Sequence, residues 1–254
     1  MARIYDTHAH LGFFGNPCAQ AEQLEALGVS ALCATVTPDE YVVLRRKLAG
    51  VAGVRVGLGL HPWWVADGRC AEAALEQFEG LARGARGARL VSEIGLDYAD
   101  GREDTRDLQL AFLDRELAAC DGEGRVLSLH AVRAAGDLLD ALERHGSAEA
   151  HACVLHWFSG TGDELARAVR MGCRFSVGPR MLATRRGRDY ARKIPPTRLL
   201  LETDLPSSAD AGQDMGADVL HSGLCEALCA LRELRGNAIG EHLAENAAAL
   251  FAVC

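Results

Sequence analysis

Lysine is almost missing from this chain: among 254 residues only Lys47 and Lys193 occur, so nearly all positive charge is arginine. No apolar run approaches the ~18 residues that a membrane-spanning helix needs, which excludes an integral membrane protein of the helical kind. The first apolar pattern begins at Arg3-Ile4-Tyr5-Asp6, with no basic segment and apolar core before it. We therefore expect no signal peptide and a cytoplasmic location. No C-x-x-C pair occurs among the nine cysteines, and their number is odd, against both a zinc ribbon and a disulfide framework. Cys33, Cys153 and Cys173 lie inside apolar runs, where cysteine fills core space, and Cys225 and Cys229 read as helix-packing residues. A G-x-S-x-G elbow is absent, which removes the usual serine-nucleophile arrangement. No G-x-G-x-x-G follows the first strand pattern, which counts against an open dinucleotide-binding sheet. The net charge of −8 is not that of a surface that tracks nucleic acid throughout, although it allows a local basic patch.

What is present is a regular alternation. Apolar runs at Ile4-Tyr5, Val29–Ala34, Val54–Leu60, Leu90–Ile94, Val126–Leu129, Ala152–Leu155, Cys173–Val177 and Leu199–Thr203 read as strands. Between them lie stretches with helical periodicity, punctuated by glycine or polar residues. Strands that alternate with helices imply parallel pairing and right-handed crossovers. Eight such units in a chain of this length predict an α/β fold, a single (β/α)8 TIM barrel. No proline- or serine-rich linker interrupts residues 1–254, so one domain is expected.

The runs end alike. Asp6-Thr7-His8-Ala9-His10, His61, Glu93, His130, His156 and Asp204 all stand at or near C-terminal strand ends, where such a barrel builds its site. His8 and His10 are two apart on a strand and so share a face. Asp204 closes a deeply apolar run, where a carboxylate is costly unless paired or bound to a cation. Glu202 has the same parity, but Asp204 lies at the mouth and is preferred. Six nitrogen and oxygen ligands exceed the needs of one tetrahedral ion, which predicts two divalent cations sharing a carboxylate. A carboxylated lysine cannot bridge them, because neither lysine stands at a strand end, and Glu93 is left for that position. The mixed imidazole and carboxylate set suits Zn, Mn, Mg or Fe.

These motifs, in order, resemble the TatD family of metal-dependent deoxyribonucleases. The resemblance runs through Asp6-Thr7-His8-Ala9-His10-Leu11, Gly59-Leu60-His61-Pro62, Ser92-Glu93-Ile94-Gly95-Leu96-Asp97-Tyr98, His130, His156-Trp157-Phe158-Ser159-Gly160, Ser176-Val177-Gly178 and Leu201-Glu202-Thr203-Asp204. Asn246–Phe251 is similar to the family's last helix. The resemblance implies hydrolysis of phosphodiester bonds, typically DNA from a single-stranded or frayed 3′ end. It implies one ion on His8, His10, Glu93 and Asp204 and another on Glu93, His130 and His156. A water activated by the two ions would attack phosphorus, with Asp204 and Glu93 as the catalytic carboxylates. The chain departs from the family at three places. Val132 stands where an arginine is usual, with Arg133 one position later; Trp157 replaces a cysteine; and no Arg-Asn-x-Pro element follows Pro206.

Substrate contacts are expected from His61, Trp63, Arg133, Arg180 and Arg185. Arg180, Arg185, Arg186, Arg188, Arg192 and Lys193 form a basic segment opposed in sequence only by Asp189, suited to phosphate grip, or else to a solvated helix face. Trp63 and Trp64 offer a stacking surface for a base or packing for their loop. The competing readings are an amidohydrolase for a small ester, lactone, amide or phosphotriester, and a nuclease-like subunit of a multi-protein system. Protein partners leave no mark in the sequence.

Overall fold

The computed structural model describes residues 3–99 and 101–254. Among these, nine strands alternate with helices: β1 (Ile4–Ala9), β2 (Val29–Cys33), β3 (Val54–Val56), β4 (Leu58–Gly59), β5 (Leu90–Asp97), β6 (Val126–Val132), β7 (Ala152–His156), β8 (Arg174–Val177) and β9 (Leu199–Leu201). The registers of β1 with β2, β2 with β3, β4 with β5, β5 with β6, β6 with β7 and β8 with β9 are all parallel. Both faces of the strands are covered: every residue of β2 and of β5 is buried, and apolar side chains fall on both parities.

The chain folds into two compact units. One comprises the chain up to Ala34, Val42–Val56 and Phe175–Ala252. It holds the sheet β1-β2-β3 and the β8–β9 pair, around fully buried side chains such as Leu24, Phe175, Leu200 and Leu220. The other comprises Thr35–Tyr41, Gly57–Arg174 and Val253–Cys254. It holds β4-β5-β6-β7 around Phe78, Leu113, Leu127 and Leu139.

The third expected strand is two short ones. β3 runs beside β2 and β4 runs beside β5, with Gly57 between them. In β4, a Cβ at Gly59 would lie 1.6 Å from the Thr35 carbonyl oxygen. Only glycine allows that approach. The basic segment is helical over Arg185–Lys193, where the Thr184 side chain caps the Gly187 amide and Tyr190 and Ala191 are buried. No disulfide forms: all nine cysteines are thiols. No helix among the described residues is long and apolar enough to cross a membrane.

A buried acid lies outside any site. Glu116, on the helix Arg106–Ala119, is 2% exposed. Its carboxyl has no hydrogen-bond or ion-pair partner among the described residues, and burial alone pushes it well above the usual range. The folded chain thus binds a proton at Glu116 more tightly than the unfolded chain. The stability this gives is complete below the unfolded pKa of about 4.3 and is lost as pH rises through the folded value. Glu116→Gln is therefore expected to melt a few degrees above the parent at pH 8, with the gap closing at pH 4. Melting curves by circular dichroism at both pH values check this, and an equal gap at both would overturn it.

Candidate metal centre

In the first unit the ends of β1 and β9 are fastened together. The Thr7 hydroxyl donates to the Leu201 carbonyl at 2.8 Å. The Asp204 amide donates to the His8 carbonyl at 2.9 Å, and the His10 amide to the Leu205 carbonyl at 2.8 Å. Asp6 organises the junction. Its carboxylate accepts from the Thr203 hydroxyl at 2.6 Å, the Thr203 amide at 3.0 Å and the His8 amide at 3.2 Å. Burial drives the Asp6 pKa up to about 7, against the opposing effect of these hydrogen bonds and with some help from the Asp204 charge. The strand register slips between Asp6 and Ala9, so the bulge falls on the residues that carry the chemistry. As a result, His10 Nε2 lies 3.3 Å and His8 Nε2 3.9 Å from Asp204 Oδ1.

In the second unit, Glu93 sits at a register shift in β5 between Ser92 and Ile94. It is 1% exposed, and its Oε2 is the focus of three imidazoles. His130 Nδ1 lies at 3.4 Å, His61 Nε2 at 3.5 Å and His156 Nε2 at 3.5 Å from that oxygen. Gly95 makes the close packing possible: its φ is 142°, and a Cβ there would lie 2.0 Å from the His130 carbonyl oxygen.

Among the described residues, four other than glycine have a left-handed backbone: Glu93 at φ 52°, Asp204 at 55°, Arg133 at 54° and Trp157 at 38°. Each such conformation costs about 1–3 kcal/mol. Two are proposed carboxylate ligands, one directly follows His156, and one is an expected substrate arginine.

The donor set fits a divalent ion. Ligand bonds of about 2.0–2.1 Å in a tetrahedron put neighbouring ligand atoms roughly 3.3–3.4 Å apart. The Glu93–His130, Glu93–His156 and His10–Asp204 separations fall at or near that edge length. They are long for direct hydrogen bonds. His61, Glu93 and His130 form a group able to hold an ion. Burial would lower the His130 pKa, but the hydrogen bond to Asp97 and the charges of Glu93 and Asp97 outweigh it and carry it up to about 9. Binding an ion at Nδ1 must displace that proton, so loading releases protons.

The structure brings His61, Trp63, Glu93, His130 and His156 together in one unit and His8, His10 and Asp204 in the other. Arg133 is exposed; Arg180 and Arg185 are exposed in the first unit, at Pro179–Leu182 and at the start of Arg185–Lys193. Opposition to the basic helix is wider than the sequence suggested: Asp189 pairs with Arg192 at 2.9 Å, and Glu233 approaches Arg188 at 4.0 Å.

Sequence reasoning missed Asp6 and Asp97. Asp97 Oδ2 contacts His130 Nε2 at 2.8 Å and accepts from the Trp63 indole N–H at 2.6 Å. Burial opposes ionisation of Asp97, yet these partners hold its pKa below the usual carboxylate range. The available signal was position: both are acids within the strand-end motifs.

The model of the family described as TatD related DNase matches residues 5–252. The chain belongs to the TatD family. It is 29% identical to the uncharacterized metal-dependent hydrolase YjjV of Escherichia coli K12 over 263 residues, covering 100% of this chain and 99% of that protein. A protein of Edwardsiella piscicida named as a 3′-5′ ssDNA/RNA exonuclease TatD is 34% identical over 119 residues, 46% of this chain and 45% of that one. The crystal structure of the E. coli YjjV protein superposes with a TM-score of 0.81 at 25% identity, covering 100% of this chain and 99% of that one. The fold class is accordingly the α/β TIM barrel of TatD structures. A TatD protein is a metal-dependent hydrolase of the deoxyribonuclease class, and the His, Glu and Asp donors described above are groups that can bind its metal.

Proposed function

We propose that this TatD protein is a 3′–5′ exodeoxyribonuclease acting on single-stranded or frayed DNA ends, as a single domain over residues 1–254 in the cytoplasm. The carrying observation is the convergence of three imidazole nitrogens on one buried carboxylate oxygen at 3.4–3.5 Å. The name of the E. piscicida relative supports the polarity and the nucleic-acid substrate. One ion would take His8, His10, Glu93 and Asp204, and a second Glu93, His130 and His156, with Glu93 as the bridge. When bound, the pair supplies Lewis acidity: it lowers the pKa of water and neutralises phosphoryl oxygens.

The chain's own groups do the rest. Asp204, with a side chain 20% exposed, orients the attacking water and accepts its proton. Arg133, Arg180 and Arg185 hold the backbone phosphates, and the exposed part of Trp63 meets a base.

Single-stranded DNA labelled at the 3′ or the 5′ end and incubated with Mg, Mn, Zn or EDTA tests this. The expected result is metal-dependent shortening from the 3′ end. Binding should weaken steeply with salt, and replacing Arg180 and Arg185 with Ala should reduce the slope of log affinity against log salt by about 1.4. Hydrolysis of small esters or phosphotriesters without DNA cleavage would replace the nuclease reading with an amidohydrolase one.

A further inference from the structure

His61 and His130 face the same oxygen of Glu93 with different nitrogens. His130 turns Nδ1 to it and Nε2 to Asp97. Asp97 holds the Nε2 proton by a hydrogen bond, so Nδ1 is the nitrogen left to an ion, which takes the place of the proton there. His61 is turned the other way. Its Nδ1 accepts from the Trp63 backbone amide at 3.1 Å, as the cap of the helix Pro62–Ala66. A neutral imidazole that accepts at Nδ1 has its proton on Nε2, and it is Nε2 that points at Glu93, 3.5 Å away.

Trp63 stands behind both rings. Its indole lies 5.0 Å from the His61 ring and 6.0 Å from the His130 ring, centroid to centroid. Its N–H is spent on Asp97, 2.6 Å away. Asp97 is held from other sides as well: Oδ1 accepts from the Ala99 amide at 2.8 Å, and Gln109 brackets its backbone N–H and C=O at 2.7 Å each. Arg102 lies over the indole at 4.9 Å and pairs with Asp67 at 3.4 Å. Even so, Trp63 remains 38% exposed.

We propose that Asp97 and Trp63 are positioning residues that assign the two histidines opposite tasks, His130 as a metal ligand through Nδ1 and His61 as an N–H donor to substrate phosphate. This rests on the reading of His130 as a ligand. It goes further in giving His61 a donor role that distance alone would not, since all three rings lie equally close to Glu93. It also makes Trp63 a route by which whatever stacks on its open face bears on metal binding.

The test uses the full chain with 15N-labelled histidine, loaded with zinc, because long-range 1H–15N spectra distinguish ligation at Nδ1 from ligation at Nε2. The expected result is His130 ligated through Nδ1 with its Nε2 proton retained, and His61 unligated with a proton on Nε2. In metal titrations Asp97→Asn should weaken binding about 100-fold and Trp63→Phe about tenfold. Trp63→Phe keeps the amide that caps His61, so the His61 signal should stay in place while affinity falls. Zinc on His61 Nε2, or unchanged affinity in both variants, overturns the inference. Absence of zinc from His130 in the parent protein would instead remove the underlying metal assignment, a separate outcome.

Discussion

Asp204→Asn is expected to lower the rate of DNA cleavage by about 10²- to 10⁴-fold, the range that one positioned proton acceptor contributes, while the melting temperature stays within a few degrees of the parent. The fold tolerates the change for local reasons. At φ 55° the backbone is left-handed, a conformation asparagine adopts at least as readily as aspartate. The amide of residue 204 still donates to the His8 carbonyl, and Asp6 still grips Thr203 from the other side. The Asp204 charge also pushes the buried Asp6 carboxyl upward, so its loss relieves a repulsion. What disappears is the anionic oxygen 3.3 Å from His10 Nε2. Single-turnover cleavage rates, read beside metal content and melting curves, check the expectation. Near-parental turnover with metal still bound would remove Asp204 from its proposed part as proton acceptor.

Much of this site was legible before any coordinates, for definite reasons. Period-2 geometry puts His8 and His10 on one face whatever surrounds them. A carboxylate that ends an apolar strand is expensive and therefore conspicuous, which exposed Glu93 and Asp204. Three things were hidden. The left-handed turns at Glu93, Trp157 and Asp204 and the register slips in β1 and β5 are backbone events with no residue code except at glycine. The break at Gly57 divides a run that reads as one strand, because the approach of Thr35 to Gly59 is set by tertiary packing. The Trp63–Asp97–His130 chain joins residues 34 and 33 positions apart. No spacing rule reaches that far, so Trp63 reads from sequence as a stacking surface for a base or as packing for its loop.

The same physics makes Glu93 the residue whose replacement should change most. In the parent protein, a divalent ion at about 100 times its dissociation constant should add about 2.7 kcal/mol of stability, equivalent to roughly 5–10 °C in a chain of this size. Glu93→Gln keeps the volume and leaves the backbone strain at φ 52° in place, so a change in metal response reports on ligation and not on repacking. An amide oxygen is a far weaker ligand than a carboxylate, and the amide nitrogen cannot bind at all. The variant is therefore expected to show almost no metal-induced rise in melting temperature and no DNA cleavage. Metal stoichiometry adds the sharper answer. If Glu93 bridges, one substitution should empty both positions, because each ion loses an anionic ligand and gains no substitute. Retention of one ion at parental affinity would mean that Glu93 serves a single cation, and that His8, His10 and Asp204 hold the other without it.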